Sequence, residues 1–74
     1  MVMKNEELLI LGQRIRFERI KKRLSQEELA EKTNLSRRAI SCIECGNNDA
    51  KYTTLLKIAD ALEIDVSVLF LRSL

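Results

Sequence analysis

The stretch from Gln26 to Cys45, QEELAEKTNLSRRAISCIEC, limits what the chain can fold into more than any other. It reads as two short helices joined by one tight turn. Ser25-Gln26-Glu27-Glu28 is a capping box. In such a box the serine hydroxyl accepts from the amide three residues on, and the glutamate carboxylate reaches back to the serine amide. Glu27 and Glu28 also suit the positive end of the helix they open. The spacing runs this helix to Lys32 or Thr33. Asn34 then makes the turn, because Asn is the non-glycine residue that best tolerates left-handed backbone. Ser36 caps a second helix extending to about Cys45, and Gly46-Asn47-Asn48-Asp49 stops it. Leu29, Ala30, Thr33, Leu35, Ile40 and Ile43 are placed to pack inward. Ser36, Arg37, Arg38, Ser41 and Cys42 are left facing out.

The flanks read as a helical scaffold for this hairpin. Residues 4 to 23 form a first helix, with Leu8, Leu11, Ile15 and Arg19 in one line and Leu9, Ile20 and Leu24 in an adjacent one. Gly12 is an interior weak point that lets a neighbouring helix approach closely. Phe17 falls between the two lines, at the core edge or in a contact with a second chain. A fourth helix runs from about Thr53 to Leu62, with Leu55, Ile58, Ala59 and Leu62 inward. Asp65 caps a short fifth helix from Val66 to about Leu71. Val66, Leu69 and Phe70 make one face of it, and Val68, Leu71 and Leu74 make another. Two apolar faces are more than one small domain can cover, which points to a homodimer joined through Val68, Leu71 and Leu74.

Seventy-four residues make one domain, and no stretch alternates with period two over strand length. Pro is absent and Gly occurs only at Gly12 and Gly46, so the expected fold class is all-α. The net charge is only +2, but it is unevenly spread. Residues 14 to 23 carry six cations against Glu18, a balance of +5. Residues 24 to 50 carry Lys32, Arg37 and Arg38 against Glu27, Glu28, Glu31, Glu44 and Asp49, a balance of −2. A basic patch beside an acidic surface orients the molecule toward a polyanion; the plainer reading is a solvated helix face. No apolar stretch has spanning length and no signal-peptide pattern is present, so no membrane contact is expected and the location is cytoplasmic. Cys42 and Cys45 lie one turn apart, staple nothing distant together, and are expected to be reduced. With no His, the chain offers no four-ligand zinc set, no cofactor site and no enzymatic constellation.

Three stretches carry a family resemblance: LGQRIRFERIKKRLSQEELAEKTNLS, AISCIECG and TTLLKIADALEIDVSVLF. Over roughly residues 11 to 70 the chain resembles the phage-repressor-like (Cro/cI, or XRE) helix-turn-helix regulators. It also looks like the small controller proteins of restriction–modification systems. The resemblance implies a compact five-helix, lambda-repressor-like DNA-binding domain over residues 1–74, with its helix-turn-helix motif at 26–45. It places Ser36, Arg37, Arg38, Ser41 and Cys42 on the exposed positions of the recognition helix, and Gln26 where the family contacts DNA near a phosphate. Lys51 falls where members put a basic residue beside the DNA backbone. Arg19 and Glu44 fall on the positions of a buried structural ion pair linking the first and third helices. The chain departs from the pattern at Asn34, where Gly is usual, at Ala50, where Pro is common, and at Cys42 and Cys45, where polar side chains are frequent.

The resulting expectation is a double-stranded DNA-binding transcriptional regulator. Arg37 and Arg38 read bases with Ser41 and Cys42 beside them, since arginine can contact guanine O6 and N7 together. Gln26, Ser36, Lys51, Arg16 and Arg23 hold the DNA backbone. A pair of cations at a helix start opposes the helix dipole, which favours a ligand role over simple solvation. The sequence shows no small-molecule effector pocket. The alternative is a protein-interaction module, of antitoxin or anti-repressor type, that keeps the fold.

Overall fold

The computed structural model describes residues 5–47 and 50–72. Four α-helices follow one another: α1 (Asn5–Lys21), α2 (Gln26–Thr33), α3 (Arg37–Glu44) and α4 (Tyr52–Ala61), and a 3₁₀ helix spans Val66–Phe70. Among the described residues there is no strand.

Local chemistry starts and stops these helices. The Ser25 hydroxyl accepts from the Glu28 amide at 3.0 Å, and the Glu28 carboxylate accepts from the Ser25 amide at 2.9 Å, so the capping box is complete. The Ser36 hydroxyl accepts from the Ala39 amide at 3.0 Å and opens α3. Every α-helix ends on a residue with left-handed backbone: Arg23, Asn34, Gly46 and Glu63 have φ of 60°, 60°, 73° and 59°. In each case the amide of the next residue folds back to a carbonyl five positions earlier: Leu24 to Arg19, Leu35 to Ala30, Asn47 to Cys42, and Ile64 to Ala59. This is the Schellman closure, which satisfies end carbonyls that would otherwise lack partners. Three of the four following residues, Leu24, Leu35 and Ile64, are apolar and pack against the core.

The core is one cluster: Leu11 and Ile15 from α1, Leu29 and Ala30 from α2, Ile40 and Ile43 from α3, Leu55, Ile58 and Ala59 from α4, then Leu62 and Leu69. Packing is closest between α1 and α3. A Cβ on Gly12 would lie 2.5 Å from the carbonyl oxygens of both Ile43 and Glu44. The neighbour that Gly12 admits is therefore the C-terminal turn of α3.

Four expectations need correction. The last element is a 3₁₀ helix, so the fold has four α-helices rather than five. It is only five residues long, and its β-branched Val66 and Val68 weaken α propensity. The first helix closes at Lys21 because Arg23 turns left-handed. Of the second apolar line, Leu24 packs against the core, but Leu9 and Ile20 do not: they are 47% and 51% exposed. Phe70 is likewise exposed, while Val66 and Leu69 face inward. Leu74 lies outside the described residues.

Candidate nucleic-acid interface

The exposed face of α3 stands on a buried polar joint. Arg19, in the last turn of α1, donates from Nε to Glu44 Oε2 at 2.6 Å and from Nη2 to Glu44 Oε1 at 3.0 Å. Its remaining nitrogen, Nη1, donates to the Leu24 carbonyl at 2.7 Å. Gln26, the first residue of α2, donates from Nε2 to Glu44 Oε1 at 3.1 Å. Arg19 and Glu44 are both buried, so this two-pronged contact is shielded from water and held in one geometry. The end of α1, the turn at Leu24, the start of α2 and the end of α3 are thus locked to one carboxylate. The joint fixes the axis of α3 relative to the rest of the molecule.

From that joint α3 projects its first turn into solvent. Ser36, Arg37 and Arg38 are exposed, while Ser41 and Cys42 are half-buried. Arg37 and Ser41 lie four residues apart, as do Arg38 and Cys42, so the face has two parallel lines, each a cation followed by a small polar or thiol side chain. Ile40, Ile43 and Glu44 occupy the opposite, buried side. The face thus offers two long cations at one end and low relief at the other. That shape suits a groove whose floor presents hydrogen-bond acceptors.

The backbone-contact candidates are scattered around this face. Lys51, Arg16 and Arg23 are exposed. Arg16 lines a shallow groove with Gln13, Phe17 and Ile20, all from α1. Gln26 is half-buried, and its amide group already serves Glu44, a duty that sequence reading did not anticipate. The only signal for it was proximity: Gln26 opens the helix next to a turn that Arg19 also reaches.

The basic run in α1 is less open than its composition suggests. Arg14 and Arg19 are each 8% exposed. Arg14 Nη2 lies 2.9 Å from Glu18 Oε2, and Lys21 Nζ lies 3.4 Å from Glu18 Oε1. Glu18 itself is buried. It stands seven residues after Leu11 and three after Ile15, so the helical spacing had already put it on the core side. The exposed cations of the run are Arg16, Lys21, Lys22 and Arg23.

Cys42 and Cys45 are free thiols. Among the described residues no group of His, Cys, Asp or Glu is arranged to hold a metal ion, and no helix is long and apolar enough to cross a membrane.

Comparison with known proteins agrees with this geometry. The helix-turn-helix family model HTH_3 matches residues 15–69. The immunity repressor protein of Bacillus phage phi105 is 41% identical over 61 residues, which are 82% of this chain and 42% of that repressor. The chain thus spans less than half the length of that relative. The restriction-modification controller protein C.AhdI from Aeromonas hydrophila superposes with a TM-score of 0.87 at 38% identity, covering 88% of this chain and 98% of that one. The controller protein C.Esp1396I superposes with a TM-score of 0.78 at 35% identity, over 85% of this chain and 82% of that one.

Proposed function

Since the chain belongs to the HTH_3 helix-turn-helix family, and is similar to a phage immunity repressor and to restriction-modification controller proteins, we propose that it is a sequence-specific DNA-binding transcriptional regulator that acts as a dimer. The observation that carries the proposal is the joint of Arg19, Gln26 and Glu44, which presents the start of α3 as a rigid, cationic, solvent-facing edge. In this reading α3 enters the major groove of double-stranded DNA. Arg37 and Arg38 contact base edges, Ser41 assists, and the Cys42 thiol lies against the groove floor. Ser36, Lys51, Arg16 and Arg23 hold phosphates. Gln26 contributes through the amides at the start of α2, because its side chain is engaged with Glu44.

One recognition helix covers only a few base pairs. Two copies related by a two-fold axis would set their recognition helices about 34 Å apart, one turn of DNA, and read a pseudo-palindrome. The proposed contact is made by Val68 and Leu71, with Leu74 beyond them. Leu71 is 51% exposed and Val68 half-buried, so apolar surface is available there.

Selection from a pool of random duplex DNA tests this reading. The expected result is one enriched motif with two inverted half-sites separated by one helical turn. A pool that enriches no sequence rejects it, and would favour a protein-interaction module on the same fold.

A further inference from the structure

The apolar part of the outer face of α1 is unaccounted for by the fold, and the proposed DNA reading uses only Arg16 at its edge. Leu9, Gln13, Phe17 and Ile20 recur at spacings of four, four and three, so they share one side of the helix. Leu9, Phe17 and Ile20 are 47%, 40% and 51% exposed, whereas Leu8, Leu11 and Ile15 on the other side fill the core. The stripe is therefore a second apolar face. Phe17 is bracketed by cations: the Arg14 guanidinium and the Lys21 ammonium each sit 5.4 Å from its ring centroid. These contacts hold the ring in place on the surface.

The stripe is self-complementary. Leu9 and Phe17 stand four residues on either side of Gln13. Exposed Glu6 lies seven residues before Gln13, and exposed Lys21 eight after it. We infer that this face pairs two copies of the chain, with α1 packed antiparallel to α1 about a two-fold axis at Gln13. In that register Leu9 of each copy meets Phe17 of the other. Glu6 of each copy meets Lys21 of the other. The two Gln13 amides face across the axis, where each offers a donor and an acceptor. A parallel arrangement would set Glu6 against Glu6 and Lys21 against Lys21, so the charge pattern selects the antiparallel one. The contact is isologous, as a closed two-fold interface must be.

One helix pair makes an interface at the small end of the stable range, about 1,200 Å² or less, so the contact is weak and forms toward the upper end of the concentration range. It uses none of Val68, Leu71 or Leu74. Together the two contacts would join dimers into larger assemblies; the α1 contact alone closes at a dimer, and it does not depend on the DNA reading.

Sedimentation from micromolar to submillimolar concentration tests it. With the C-terminal contact also in place, the wild-type chain is expected to form species larger than a dimer at the upper end; a wild-type chain that stops at a dimer removes that second contact and leaves the Phe17→Arg and Gln13→Cys outcomes to decide the α1 one. Leu71→Ser, aimed at the C-terminal contact, leaves a dimer held by α1. Phe17→Arg weakens the α1 association by about tenfold or more. Glu6→Lys weakens it too, and adding Lys21→Glu restores it. In a chain carrying Cys42→Ser and Cys45→Ser, Gln13→Cys gives a disulfide-linked dimer on mild oxidation, while Glu31→Cys, exposed on α2, does not. The inference is overturned if Leu71→Ser is monomeric throughout, if Phe17→Arg leaves assembly unchanged, if the charge exchange fails to restore association, or if Gln13→Cys does not cross-link.

Discussion

Gly12 has no side chain because α3 leaves no room for one. In an isolated helix Gly12→Ala would gain about 1 kcal/mol of propensity. Here the new Cβ meets two backbone carbonyl oxygens at 2.5 Å, and neither can move without shifting α3. Overpacking of this kind costs about 1–3 kcal/mol, so the variant is expected to be less stable, with a lower urea midpoint. Glu28 gives a second residue-scale prediction. Hydrogen bonds from the Ser25 amide and hydroxyl hold its carboxyl below the ordinary 4.5. Folding therefore favours the ionised form. That stability is fully present above about pH 4.5 and is lost as pH falls through the lowered value. Asp65 behaves alike from its ordinary 3.8 downward, through its hydrogen bonds from the Ser67 hydroxyl and amide. Glu28→Gln keeps an acceptor for Ser25 but does not titrate. Its denaturation midpoint is expected to fall less than the wild type's between about pH 5 and pH 3. Both features had sequence signatures. The capping box was legible in full from Ser25 and Glu28. Gly12 signalled a close approach, but not which element approaches.

The joint between α1 and α3 belongs to the scale of elements. Arg19→Ala would leave Glu44 buried without its charge partner, a loss of about 3–5 kcal/mol in denaturant unfolding. Replacing both, Arg19→Met with Glu44→Leu, is expected to cost much less than the single change, because no charge is then stranded. A double-mutant cycle reads the difference. Helix ends give the opposite sign. Glu63 holds a left-handed backbone at φ 59°, which costs a non-glycine residue about 1–2 kcal/mol. Glycine removes that strain and loses about 0.5–1 kcal/mol to chain entropy. Glu63→Gly is therefore expected to raise the melting temperature slightly. At this scale α2, its turn and α3 were readable because caps, periodicity and a left-handed Asn34 agreed. The last element was not, since five residues cannot distinguish an α-helix from a 3₁₀ helix by spacing. Leu9 and Ile20 misled for a related reason: apolar periodicity identifies a face but not what covers it.

Across the whole molecule, the exposed cations are fewer than the sequence balance implies, because Glu18 and Glu44 hold Arg14 and Arg19 inside. In the proposed reading, base contacts fall to Arg37 and Arg38, and phosphate attraction to Arg16, Arg23 and Lys51, all of them exposed. These two groups separate experimentally. Removing a phosphate contact weakens binding to all sequences and flattens the salt dependence, whereas removing a base contact weakens one site selectively. The direct measurement is equilibrium binding of the wild type and of Arg37→Ala and Arg38→Ala, each across a salt series, to the selected site and to a scrambled duplex. At least one variant is expected to lose about 1–3 kcal/mol on the selected site, roughly 5- to 150-fold, with little change on scrambled DNA. Equal losses on both duplexes, or no loss on either, would contradict the assignment of α3 as the reading element.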